Sequence, residues 1–146
     1  MCHNKKNKGK YMINGINHIT LSVIDINESF NFYKNVLLLT PIMLSPFSAY
    51  FTAGNIWIAL QQEKEINRYN NLYSHFAFNV KKDDYKKIIE SIQNYRAEAW
   101  QENKTEGDSY YFTDPSGNKL EIHYSDLNSR IEYGKNNWGD EVQWFY

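Results

Sequence analysis

The sequence predicts an α+β protein built from two tandem βαβββ modules, residues 16–62 and 74–125, with a C-terminal helix and tail over 126–146. Three observations carry this. INHITLSV and SHFAFNV both alternate apolar and polar residues, the period of a half-buried strand. Each is followed by a helical pattern and then by three short strand candidates. The two copies sit 57 residues apart, as His18 and His75 mark, and self-similarity of that kind signals a duplicated supersecondary unit.

In module one, Ile19, Leu21 and Val23 share one side of the first strand and His18, Thr20 and Ser22 the other. Asp25, with Glu28 three residues on, resembles a capping box. Ile26, Phe30, Tyr33 and Leu37 then recur at helical spacing and predict one amphipathic helix to about Leu38. Strands are expected near 41–45, 48–53 and 56–62, divided by Pro46 and the Gly54-Asn55 turn.

In module two, Phe76, Phe78 and Val80 alternate with His75, Ala77 and Asn79, and Tyr85, Ile88, Ile89, Ile92 and Tyr95 mark a second helix. AEAWQEN, DSYYFTD and KLEIHYS supply the remaining strands, and Asp114-Pro115-Ser116-Gly117 suits a type I turn. The last helix starts near Asp126 and includes Arg130, and the aromatic WGDEVQWFY is expected to pack on the domain or on a partner subunit.

Residues 1–11, with Lys5, Lys6, Lys8 and Lys10 and no apolar period, read as a disordered basic tail before a single domain, 12–146. Sixteen basic residues against seventeen acidic leave a net charge of -1, which gives no field to attract nucleic acid or an anionic membrane. Cys2 is the only cysteine, so no internal disulfide forms and a reducing, cytoplasmic setting is expected. Apolar stretches fall well short of the roughly 20 residues a membrane helix needs. MINGINHITLSVI is too polar for the core of a signal peptide, so no cleaved targeting segment is expected.

The chemistry-bearing residues lie on the polar faces of these strands. Each module's first strand places a histidine at the same position, His18 and His75, and the last strand of module two carries Glu121 and His123 opposite Leu120 and Ile122. A lone histidine of this kind is usually just hydrogen-bonded, and Glu121 could pair with Lys119 or Arg130. Its repetition, with a carboxylate directed into a half-buried sheet, points instead to a divalent metal with open positions for Lewis-acid chemistry. Alignment through the Gly-Asn turns puts the module-one counterpart of Glu121 near Ile58, which cannot ligate, so one chain offers three ligands. His123 has no module-one match and reads as a supporting or packing residue. The polar loop Asn103–Ser109 can bind an anion by hydroxyls or a small cation by carbonyls, and Ser109 and Tyr111, with Arg130 downstream, suggest an oxyanion pocket.

INHITLSV with FYKNVL, SAYFTAGNIWIAL, YSHFAF and ENKTEGDSYYFTDPSGNKLEIH with DLNSR together resemble the vicinal oxygen chelate (glyoxalase/bleomycin resistance) superfamily. TEGDSYYF is similar in particular to the fosfomycin-resistance thiol transferases of the glutathione-using, manganese-dependent branch. The resemblance implies a glyoxalase-like fold paired across a homodimer, with His18 from one subunit and His75 and Glu121 from the other binding Mn²⁺. It implies that Thr20 lies beside the substrate oxyanion and epoxide and that Tyr50 assists the incoming thiol. Thr105, Ser109, Tyr111 and Arg130 fall on phosphonate-binding positions and Trp57 on the aromatic wall, while Asn103, Thr105, Gly107 and Ser109 resemble a K⁺ loop. The implied activity is addition of glutathione to the epoxide of fosfomycin.

Some positions depart from that pattern. Gln101 stands where the family has a lysine, and Ser45 and Phe47 differ from its thiol pocket, which keeps bacillithiol or another thiol in view. SPFSAYF has no acid where the hydrolase branch places a glutamate base, so hydration of the epoxide is not expected. The alternatives are another metalloenzyme of the superfamily, isomerase or dioxygenase, and a binding protein that sequesters a drug without chemistry.

Overall fold

Side chains alternate across a strand, so INHITLSV can bury Leu21 and Val23 only by turning His18 and Thr20 outward. β1 (His18–Val23) does this in the computed structural model, which describes residues 12–67, 72–103 and 108–145. The basic tail 1–11 lies outside the described residues. β1 runs parallel to β4 (Ile56–Gln62), with Ile19 opposite Ile58 and Leu21 opposite Leu60. β3 (Ser48–Ala53) and β2 (Thr40–Leu44) extend the sheet antiparallel, giving the order β1-β4-β3-β2.

The second sheet repeats this plan with β5 (Phe76–Asn79), β6 (Ala99–Gln101), β7 (Asp108–Thr113) and β8 (Lys119–Tyr124), in the order β5-β8-β7-β6. With α1 (Ile26–Asn31) and α2 (Lys82–Tyr95) as the crossovers, the chain is an α+β fold of two βαβββ modules. α3 (Leu127–Asn137) follows, capped by Asp126, whose carboxylate accepts from the Ser129 N–H at 2.8 Å. No described helix is long and apolar enough to cross a membrane.

The first helix departs from the expected single amphipathic helix. α1 ends at Asn31 and continues as a π-helical turn over Phe32–Val36, with Leu37 N–H bonded to Phe32 O at 3.1 Å and Leu38 at φ 59°. The extra residue per turn swings the buried stripe round, so that Phe32, Tyr33, Val36 and Leu37 are buried and Phe30 only partly. The capping box is half-formed: Asp25 accepts from the N–H groups of Asn27 and Glu28, but the Glu28 carboxylate accepts from Tyr95 Oη at 3.3 Å instead of reaching back.

Both sheets give their apolar faces to one core, in which Leu21, Val23, Phe51 and Leu60 meet Phe32, Tyr33, Ile88, Ile92, Phe112, Leu120 and Ile122. A buried polar junction crosses the same seam. Asp114, 4% exposed, accepts from Tyr33 Oη at 2.8 Å, from the N–H groups of Ser116 and Asn118 at 2.9 and 2.8 Å, and from Asn118 Nδ2 at 2.7 Å. Asn118 Nδ2 also reaches Ser22 O, and Ser116 Oγ accepts from Ile24 N–H. The turn predicted as a hairpin connection, closed by Gly117 N–H on Asp114 O, therefore also ties module two to the end of β1.

Removing this carboxylate leaves several buried donors without a partner. Asp114→Ala is expected to cost roughly 3 kcal/mol, and Tyr33→Phe, which deletes one donor only, roughly 1 kcal/mol, both read from urea unfolding midpoints.

Candidate metal and anion site

His75 lies just before β5, held there by its neighbours. Its Nδ1 is 2.7 Å from the carbonyl oxygen of Tyr73, and its Nε2 is 2.9 Å from Glu121 Oε2. A carbonyl can only accept, so Nδ1 carries a proton and Nε2 is the end turned to the carboxylate. That end meets Glu121 either with a second proton or with its lone pair directed at a cation shared with the carboxylate. The 2.9 Å spacing accommodates either arrangement, since it is an ordinary N–H···O length and donors at about 2.1 Å on adjacent corners of an octahedral ion also lie about 3 Å apart.

Glu121 is 5% exposed, and Ser109 Oγ donates to its Oε1 at 2.7 Å. Having given its one proton to Glu121, Ser109 can only accept from His123 Nδ1, also at 2.7 Å. The relay His123–Ser109–Glu121 thus orients the carboxylate from behind, the kind of outer support that metal-ligating groups require.

Arg130, Tyr111, Tyr73, His75 and Glu121 line one groove of about 480 Å³ on the outer face of the second sheet. Tyr111 sits at the groove floor with its ring edge-on to Trp100 at 5.0 Å. Burial pushes its phenol above the usual 10.0, and the charge of Glu121 adds to this. A neutral hydroxyl and a guanidinium therefore face the same space, a donor set for an anion.

A second group gathers on the first sheet. The parallel register sets His18 opposite Trp57, with ring centroids 4.4 Å apart, and Tyr50 meets Trp57 edge-on at 5.0 Å. Thr20 and Tyr50 share the next row through their common partner Ala59. His18 Nδ1 is 2.7 Å from Asn17 Oδ1. Trp57 Nε1 is buried and has no hydrogen-bond partner among the described residues, and a buried donor of that kind normally finds an acceptor.

The predicted residues thus fall into two sets. His75, Glu121, Tyr111 and Arg130 come together, with Ser109 behind Glu121, and His18, Thr20, Tyr50 and Trp57 come together on the other sheet. Among the described residues no three His, Cys, Asp or Glu side chains of one chain converge to hold a metal: His75 and Glu121 meet on the second sheet, while His18 lies on the first. The expected counterpart of Glu121, near Ile58, is corrected by the strand register. Ile58 faces Ile19 in the core, as Leu120 faces Phe76, so the residue matching Glu121 is Ala59, one position on. Ala59 has no ligating atom. Asn103 is described, while Thr105 and Gly107 of the expected K⁺ loop lie outside the described residues.

Sequence reasoning missed Tyr73 and Trp100. Tyr73 pins the His75 ring through its carbonyl, and its hydroxyl accepts from Gln101 Nε2 at 3.4 Å. Trp100 packs edge-on against both His75 and Tyr111. The only local signal for Tyr73 was its place two residues before His75.

Known proteins resemble this chain in sequence and in fold. The family model of the Glyoxalase/Bleomycin resistance protein/Dioxygenase superfamily matches residues 15–122. A metallothiol transferase FosB of Staphylococcus saprophyticus is 36% identical over 129 residues, 85% of each chain. A glutathione transferase FosA of Serratia marcescens is 35% identical over 82% of this chain and 87% of its own. Among solved structures, the fosfomycin resistance protein FosX of Listeria monocytogenes, complexed with Mn(II) and sulfate, superposes with a TM-score of 0.74 at 28% identity, covering 83% of this chain and 98% of its own. The chain belongs to the Glyoxalase/Bleomycin resistance protein/Dioxygenase superfamily, in its fosfomycin-resistance branch.

The raised phenol makes a prediction with a definite sign. Because Tyr111 ionises less readily folded than unfolded, its contribution to stability is complete below about pH 10 and is lost as pH rises through the folded value. Urea midpoints compared at neutral and strongly alkaline pH should therefore fall less for Tyr111→Phe than for the unaltered chain.

Proposed function

We propose that the chain is a metal-dependent thiol transferase that adds glutathione, or a similar thiol, to the epoxide of fosfomycin, and that it works as a homodimer. The observation that carries this reading is the His75–Glu121 pair, oriented from behind on both sides, in one groove with Arg130 and Tyr111. The relatives' names support it: one acts with an unspecified thiol, another with glutathione, at almost the same identity to this chain.

The donor set of two imidazoles and a carboxylate fits a divalent cation, and Mn²⁺ is favoured by the solved relative that holds it. His75, Glu121 and His18 of the partner subunit would hold the ion. The dimer reading is supported by the placement of His18 on one sheet of the chain and of His75 and Glu121 on the other. Support also comes from β1 and β5, each paired on one side only within the described chain and flanking an apolar groove lined by Ile19, Leu21, Phe76 and Phe78. K⁺ would be taken by the loop of Asn103, Thr105, Gly107 and Ser109, whose carbonyls suit a cation that hydroxyls alone do not satisfy.

When bound, the divalent ion supplies Lewis acidity toward the epoxide oxygen. Arg130 and Tyr111 anchor the phosphonate and fix the orientation of the ring for attack. The partner sheet supplies the Trp57 wall, whose indole N–H lacks an acceptor among the described residues, and Thr20 beside the opening oxygen. Tyr50 orients the thiolate. The C–S bond forms as the C–O bond of the epoxide breaks, and the oxygen is protonated from water. No covalent enzyme intermediate is required, consistent with the lack of a cysteine in either set of residues.

Mass spectrometry of manganese-loaded protein with fosfomycin and potassium, in parallel arms of glutathione, bacillithiol and no thiol, should show a thiol adduct that disappears with Glu121→Ala. No adduct in any arm overturns the reading, and a diol in the no-thiol arm replaces it with hydration.

A split site also predicts complementation. His18→Ala and Glu121→Ala are each expected to be inactive, but a re-paired mixture restores one intact site in every mixed dimer, about a quarter of the original activity by random pairing. Recovery of nothing would mean that each site is contained in one chain.

A further inference from the structure

The aromatic tail does not simply cover apolar surface, for Trp138 remains 42% exposed. Its contact is with Arg130, the cation of the groove. The Arg130 guanidinium carbon lies 5.2 Å from the centroid of the Trp138 ring, within the range of a cation–π contact. Trp138 stacks on Trp144 at 5.8 Å with the planes 12° apart, and Lys135 Nζ lies 5.8 Å from the Trp144 ring. Tyr133 meets Trp138 edge-on.

The backbone is shaped for this stack. Trp138 N–H donates to Gly134 O at 2.9 Å, closing α3, and Gly134 provides the floor on which both rings lie. A Cβ at Gly134 would stand 2.5 and 2.7 Å from atoms of the Trp138 ring and 2.7 Å from Trp144. Any side chain there would lift the rings from the helix and away from the arginine.

We propose that the Trp138–Trp144 stack is a positioning device for Arg130, holding its guanidinium at the anion end of the groove before substrate arrives. The proposal rests on the reading of Arg130 as a phosphonate contact. An arginine loses side-chain freedom when it binds an anion, and a ring that orders it beforehand removes part of that loss from the binding step. Trp138 and Trp144 touch no reacting atom, so their effect belongs in substrate affinity and not in the chemical step.

Two measurements separate this proposal from the reading beneath it. In proton–nitrogen correlation spectra of the manganese-free protein, the Arg130 Nε–H is expected to be shifted upfield by the Trp138 ring and ordered. Trp138→Ala and Gly134→Ala should abolish both features, and Trp138→Phe should keep them in part. An Arg130 signal unchanged in Trp138→Ala overturns the positioning role, whatever Arg130 binds.

The second measurement is fosfomycin affinity by calorimetry on the manganese-loaded protein. Trp138→Ala is expected to weaken it about two- to fivefold, from the size of an exposed cation–π contact, with most of the loss recovered in Trp138→Phe. The same change in an Arg130→Ala background should have no further effect, because coupled residues are not additive. An equal loss in both backgrounds marks a structural role and overturns the proposal. If Arg130→Ala itself leaves affinity unchanged, the phosphonate reading of Arg130 falls and this proposal with it. Urea midpoints of each variant show whether the fold is intact.

Discussion

Two sheets share one core, and β1, β3, β4, β5, β7 and β8 answer to that constraint. The faces bearing Leu21, Val23, Leu60, Leu120 and Ile122 point inward, where the helical segments that cover them supply Ile26, Phe32, Tyr33, Val36, Leu37, Ile88 and Ile92 to the same core. Burial of these side chains contributes about 1.5–3 kcal/mol each relative to exposure. A period of two then leaves no freedom to the alternate residues. His18, Thr20, Tyr50 and Trp57 on one sheet, and Ala77, Tyr111 and Glu121 on the other, are sent to the outer faces as a consequence. The site occupies the faces that the core does not use.

Within that frame Glu121 is the expensive residue. A carboxylate 5% exposed is costly unless its oxygens are occupied, and here one faces His75 and the other receives Ser109, itself backed by His123. The arrangement stabilises the carboxylate and at the same time fixes its direction into the groove. Ser109 donates to this carboxylate from behind. Arg130 and Tyr111 line the same groove.

Asp114 performs a different task in the seam between the modules. Four donors converge on its carboxylate, from Tyr33 of the π-helical turn and from its own turn, and Asn118 and Ser116 continue the network to the end of β1. The widened turn that carries Tyr33 and this polar junction belong together, since a regular helix would present a different face to module two. The duplicated units are consequently joined by a satisfied polar network as well as by apolar packing.

The fold class, the strands at 48–53 and 56–62, the paired histidines and the outward face of Glu121 were all legible in the sequence. They depend on local periodicity and turn residues, which neighbours in the chain determine. What lay beyond it depends on contacts between distant residues. The π-helical turn arises from the need to seat Phe32, Tyr33 and Leu37 in a shared core, and the match of Glu121 to Ala59 instead of Ile58 from a five-residue turn in one module against a two-residue turn in the other. The His75–Tyr73 and Ser109–Glu121 bonds and the seat of Arg130 on Trp138 are set by register and helix packing. The sequence by itself determined which residues could face outward; only the tertiary structure decided which of them meet, because strand pairing and packing set the distances that alternation leaves open.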